Sequence, residues 1–205
     1  MTPAVFREVN EGMAEVQSTF SLRRGDAAPG FQLPDPAGKL HELHQLRGNS
    51  GLLLVFACNH CPYVIHLADA LGALAAEIES EGIATVAISS NDIEKYPADA
   101  PEHMATFAAN HGWNFPYLFD ETQEVAKAYG AACTPDFFLF DHELRLYYAG
   151  QFDSTRPNSG AAPSGDDLRA AAKSMLAGEE PAARSYPSSG CNIKWKTGSE
   201  PPYFH

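Results

Sequence analysis

Leu52-Leu53-Leu54-Val55-Phe56-Ala57-Cys58-Asn59-His60-Cys61-Pro62-Tyr63 is the stretch on which the architecture of the chain turns. Its apolar half reads as a strand covered on both faces. Pro62, tolerated in a first helical turn, then opens a helix running to Glu81, with Val64, Leu67, Ala68, Leu71, Leu74, Ala75 and Ile78 at helical spacing. Gly82 supplies the stop. Residues 83–89 form a second buried strand, so strand, helix and strand make one right-handed parallel crossover. Two thiols are thereby delivered to a helix N-terminus, whose partial positive charge favours thiolate over thiol. Their two-residue spacing allows a small disulfide ring, so the pair can store or release two electrons.

Outward from this unit the chain continues as α/β. Residues 25–43 carry short apolar teeth (Phe31, Leu33, Leu40, Leu43) separated by Pro and Gly, the pattern of edge strands joined by a turn at Ala37-Gly38. Residues 100–112 read as a helix, 117–119 as a short strand and 121–129 as a short helix. Residues 136–141 and 144–149 alternate about a turn at 141–143 and should pair as an antiparallel hairpin. A polar Gly/Pro/Ser-rich loop fills 150–166, of a length that is usually functional or mobile. An amphipathic helix at 166–177 ends at Gly178. Residues 3–20 show weak helical periodicity and are expected as a helix or loosely docked arm. The expected organisation is an arm at 1–23, one domain at 24–178 and a tail at 179–205 packed on or near it.

With 205 residues, 44% hydrophobic and 20% charged, the chain can bury a core without disulfide staples. A net charge of −12 without a basic cluster argues against nucleic acid or an anionic membrane surface as partner. No run approaches the ~20 apolar residues of a membrane span, and the first 20 residues lack a signal-peptide core. The expectation is a cytoplasmic protein, where a close Cys-x-x-Cys pair is catalytic or metal-binding rather than a structural disulfide.

Three stretches resemble the thioredoxin superfamily, in its redoxin branch, the AhpC/TSA-like proteins that join peroxiredoxins to thiol-disulfide reductases. They are Gly25-x-x-Ala28-Pro29-x-Phe31-x-Leu33, Cys58-Asn59-His60-Cys61, and Tyr129-Gly130-Ala131-Ala132-Cys133-Thr134-Pro135 followed by a strand. The likeness covers roughly residues 24–177. Together with Cys-x-His-Cys-Pro-Tyr-Val, the tail Gly190-Cys191-Asn192-Ile193-Lys194-Trp195-Lys196 is similar to a peroxiredoxin-like subgroup that retains a thioredoxin-type first cysteine. The resemblance implies a thioredoxin-like fold: a mixed central sheet flanked by helices, an N-terminal redoxin hairpin and a C-terminal extension. It also implies a cis peptide bond before Pro135, with the Thr134 main chain facing the redox pair and receiving a substrate strand.

On this reading Cys58, at the exposed end of the strand, attacks a disulfide with a lowered pKa, and Cys61 resolves the mixed disulfide. His60, when protonated, tunes the thiolate further. Thr134 and Pro135 bind substrate, and Cys133 is either an accessory thiol or an inert small residue. Cys191 is a remote thiol or, with Trp195, part of the docking of the tail. The partners are a disulfide-containing protein or a small thiol or peroxide, and an external thiol reductant; no cofactor is implied. A peroxidase is the alternative, with Cys61 or Cys58 as the peroxidatic thiol. Against it, Leu54 and Cys58 stand where that family carries proline and threonine, and the activating arginine is missing unless Arg156 substitutes. A further alternative is a metal-binding or redox-sensing protein, with Cys58, Cys61 and Cys133 and either His60 or His66 as zinc or copper ligands. Asn91-Asp92, at the carboxyl edge of the sheet, offers Asp92 as a proton acceptor for Cys61 or as a loop cap. The strand before the pair contains no acid.

Overall fold

The computed structural model describes residues 15–182 and 184–204. From the amino end the elements are β1 (Glu15–Gln17), β2 (Gln32–Pro34), β3 (Leu40–Glu42), α1 (Leu43–Leu46), β4 (Gly51–Phe56), α2 (Pro62–Glu79) and β5 (Ile83–Ser89). A single 3₁₀ turn at Pro97–Asp99 precedes α3 (Pro101–Asn110), β6 (Tyr117–Phe119), α4 (Glu124–Tyr129) and β7 (Cys133–Thr134). Then come β8 (Asp136–Asp141), β9 (Leu146–Gly150), α5 (Asp166–Leu176) and β10 (Ser189–Asn192).

The main sheet has the order β6-β5-β4-β8-β9. The central strand β4 runs parallel to β5 and antiparallel to β8, and all six of its residues are buried. Its near-continuous hydrophobicity follows from that position, because strand alternation sends its side chains into two separate cores. Leu53 and Val55 pack with α2, with Met104 of α3 and with Leu168 and Ala172 of α5. Leu52, Leu54 and Phe56 pack on the other face with Leu33, Leu43, Tyr129, Ile193 and Trp195. Burial of each such side chain contributes about 1.5–3 kcal/mol.

Between β4 and β5 lies the expected crossover. Cys61 is the N-cap of α2 with extended backbone, and Pro62 occupies the first helical turn. Gly82, at φ +87°, reverses the chain into β5. β2 and β3 form the anticipated hairpin, with Leu33 opposite His41. β8 and β9 pair antiparallel with a bulge between Leu139 and Phe140.

The two ends of the chain depart from the sequence reading. The helix or arm expected at 3–20 falls largely outside the described residues, but 15–17 form a strand. β1 pairs with β10, and β10 pairs with β7, making a small three-stranded sheet beside the main one. Backbone pairing sets these short strands, so helical periodicity was a poor guide to them. The tail is therefore woven into the fold rather than laid over it.

Candidate active site

β4 and α2 bring Cys58 and Cys61 to one edge of the sheet, and β7 brings Thr134 against both. The Thr134–Pro135 peptide bond is cis. Cys58 Sγ lies 3.4 Å from Thr134 Oγ1, and the Cys61 thiol donates to the Thr134 carbonyl oxygen at 3.1 Å. All four cysteines are free thiols. Cys58 was expected at an exposed strand end; instead it is 1% exposed and Cys61 0%, so neither sulfur meets solvent directly.

Their electrostatics differ, and in the opposite sense to the sequence expectation. Burial pushes the Cys58 thiol well above its ordinary value, helped by its hydrogen bond to Cys61 and by the negative charge of Asp99. Burial also opposes ionisation of Cys61. Hydrogen bonds from Cys191, Cys58 and Thr134, with a smaller contribution from the Val64 N–H in the first turn of α2, outweigh it and hold Cys61 below its ordinary value. The sulfur at the helix N-terminus is thus Cys61, and Cys58 serves as one of its donors.

His60 turns its Nδ1 to Asp99 Oδ2 at 2.6 Å and stacks on Tyr96 with ring centroids 5.4 Å apart. Asp99 is fully buried, and sequence reading passed over it. Its Oδ1 accepts from the backbone N–H groups of Asn59 and His60 at 2.8 and 3.2 Å, and its Oδ2 also accepts from Asn91 Nδ2 at 2.8 Å. The Cys58-to-Cys61 loop is held by this one carboxylate, which comes from the loop before α3 rather than from the strand before the pair. Its signal was an acid in the Pro97-Ala98-Asp99-Ala100-Pro101 segment, where two prolines stiffen the backbone around it.

Asp92 accepts from the Glu94 N–H and caps its own loop. Cys133 is buried and donates to the Pro135 carbonyl at 3.5 Å; burial and neighbouring Asp136 push its thiol up. The soft ligand set expected for a metal is not assembled, since Cys133 faces Pro135 and His66 Nε2 bonds Thr155 Oγ1 at 3.0 Å. Instead Cys58, His60 and Asp99 place one ligand-type atom each within 4.8 Å of one another, with the Asp99 carboxylate already engaged by four donors. Arg156 bonds the Asp153 and Thr155 carbonyls and Gln151 Oε1. Its cleft is lined also by Tyr63, His66, Pro135 and Ser189, and by neither sulfur of the pair.

Cys191 belongs to the same buried group. On β10 it is the register partner of Thr134, whose carbonyl holds the Cys61 thiol; it is 3% exposed and shares one buried cluster with Cys58 and Cys61. The neighbouring Cys61 sulfur and then burial push the Cys191 thiol up.

A strand, a Cys-x-x-Cys pair at a helix N-terminus and a facing cis-proline, set in a mixed five-stranded sheet, define a redoxin of thioredoxin-like fold. The AhpC/TSA family model matches residues 24–149, and the chain belongs to that family. The crystal structure of an uncharacterized conserved protein from Geobacillus kaustophilus superposes with a TM-score of 0.86 at 45% identity, covering 90% of this chain and 98% of that one. A putative peroxiredoxin of Mycobacterium tuberculosis (strain H37Rv) is 32% identical over 113 residues, 55% of this chain and 67% of the relative. Thiol-disulfide oxidoreductase ResA of Bacillus subtilis (strain 168) is 28% identical over 132 residues, 62% of this chain and 66% of the relative. No helix among the described residues is long and apolar enough to cross a membrane.

Proposed function

We propose that the protein is a thiol-disulfide oxidoreductase that cycles Cys58 and Cys61 between dithiol and disulfide. The observation that carries this reading is the pair of free thiols at the start of α2, with Thr134 touching both sulfurs. Cys61, at the N-terminus of α2, gives up the proton it shares with the Thr134 carbonyl and attacks the incoming disulfide; Cys58, held as a thiol, resolves the mixed disulfide and closes the pair. Thr134 and Pro135 position the substrate, and Asp99 with His60 holds the loop between the cysteines. An external thiol returns the disulfide to the dithiol. The burial of both sulfurs and the cleft beside Tyr63 and Pro135 support a small disulfide as substrate. Sparse cysteine usage supports a cytoplasmic setting.

The Cys61-Pro62 step and the low pKa of Cys61 also favour hydroperoxide as a second oxidant. Among the described residues no guanidinium hydrogen-bonds either sulfur, which places peroxidase activity second. Turnover of glutathione disulfide and of hydrogen peroxide by wild type, Cys58→Ser and Cys61→Ser tests both readings. Cys61→Ser should abolish both, and Cys58→Ser should still form the first mixed disulfide, on Cys61, with no Cys58–Cys61 linkage to follow. Accumulation on Cys58 in Cys61→Ser would reverse the assignment, and peroxide turnover far exceeding disulfide turnover would make the protein a peroxidase.

A further inference from the structure

We propose that Cys191 is a third redox thiol, which takes over the disulfide from Cys61 as a Cys61–Cys191 bond. This rests on the assignment of Cys61 as the attacking thiolate. Antiparallel pairing sets Cys191 opposite Thr134 and Asn192 opposite Cys133, so β10 lies along the edge of the cis-proline segment that a substrate strand was expected to use. The approach is close. A Cβ at Gly190 would lie 2.7 Å from the Thr134 carbonyl carbon and nearer still to its oxygen, so the residue before Cys191 has room only as glycine.

The position is also fixed from every side. Val16 of β1 pairs with Gly190, and Ser189 Oγ bonds Glu15 Oε1 at 2.5 Å. Beyond Cys191, the Ile193 N–H donates to the Ala132 carbonyl and the Lys194 N–H to Asn91 Oδ1. Ile193 and Trp195 are buried in the core on the far face of β4. A tail anchored only to cover the site would not require a cysteine opposite Thr134, the residue whose carbonyl holds the Cys61 thiol. With the edge occupied, an extended protein substrate must first displace β10.

The chemistry balances as two exchanges. Cys61 thiolate attacks a small disulfide RSSR, forming Cys61–S–S–R and releasing RS⁻. The Cys191 sulfur then attacks Cys61 Sγ, the bond to R breaks, RS⁻ leaves with the electron pair, and the proton lost by Cys191 goes to it as RSH. Net, one RSSR is reduced to two thiols and Cys61–Cys191 is oxidised. The same attack on a Cys58–Cys61 disulfide transfers the bond to Cys191 and leaves Cys58 as the thiol, with no net oxidation.

The test is non-reducing peptide mapping of the full chain after treatment with glutathione disulfide and alkylation of the remaining thiols. Wild type should give both Cys58–Cys61 and Cys61–Cys191 linkages. Cys58→Ala should give Cys61–Cys191 and clear glutathione from Cys61, and Cys58→Ala/Cys191→Ala should retain glutathione on Cys61. Wild type with only the Cys58–Cys61 linkage, or Cys58→Ala retaining glutathione on Cys61 beside an alkylated Cys191, overturns the inference and leaves the oxidoreductase reading standing. No cysteine linkage or adduct in any form overturns both. The wild-type map is decisive even if a variant fails to fold.

Discussion

Asp99 holds the redox loop, and its removal has a calculable cost. Four donors converge on its carboxylate: the N–H groups of Asn59 and His60, His60 Nδ1 and Asn91 Nδ2. In Asp99→Ala the partly exposed His60 ring can turn to water, whereas the two backbone N–H groups and the Asn91 amide lose their partner inside the protein. Each buried donor left unpaired costs about 1–3 kcal/mol, so allowing for partial relaxation the variant should lose about 3–5 kcal/mol. Asp99→Asn keeps one acceptor oxygen but offers an amide where His60 and Asn91 both donate, so it should lose about 1–2 kcal/mol. With a urea slope of roughly 1–3 kcal/mol/M, the Ala variant should shift the unfolding midpoint by about 1–5 M and the Asn variant by about 0.3–2 M. Equilibrium urea unfolding followed by tryptophan fluorescence reads both. Two variants within about 0.5 kcal/mol of wild type would refute the claim that this carboxylate organises the loop.

Other consequences are as open to measurement. Gly190→Ala should push β10 off Thr134 at a cost of about 1–3 kcal/mol, seen as faster proteolysis of the tail and faster alkylation of Cys61; unchanged rates would contradict the close approach. Thr134→Val removes a donor to Cys61, so the Cys61 pKa should rise and its alkylation at acidic pH should slow. Asp136, buried beside Ser18, has its carboxyl raised from 3.8 to about 6, chiefly by burial. The native state therefore keeps a proton that the unfolded chain has released, and this contribution to stability falls as pH rises from about 4 to 6, by about 3 kcal/mol. The stability of Asp136→Asn relative to wild type should increase by about that amount across this interval, and a pH-independent difference would refute the assignment.

What could be read from the residues follows from how local each signal is. β4, α2 and β5 were legible because burial on both faces makes a strand continuously apolar and a packed helix periodic over five turns. Cys58, Cys61, Thr134 and Pro135 were legible through motif spacing, and the structure does bring them together. The sheet of β1, β7 and β10 was not, because strands of two to four residues held by backbone bonds carry no periodicity. Cys191 consequently looked remote, although the register places it on Thr134. Burial of Cys58 escaped notice for the same reason, since the segment that helps cover it lies more than 130 positions away. The relative acidity of the two thiols depends on donors in β7 and β10 and on the charge of Asp99 before α3, which no local pattern encodes.

On the function proposed, Cys61 is the thiolate of the redox pair. Ultraviolet thiolate absorbance, titrated against pH in the reduced full chain and in Cys58→Ser and Cys61→Ser, measures it directly. A thiolate that persists below the ordinary cysteine range should appear in wild type, survive with some upward displacement in Cys58→Ser, and vanish in Cys61→Ser. A low-pH thiolate that survives in Cys61→Ser and disappears in Cys58→Ser would make Cys58 the thiolate instead.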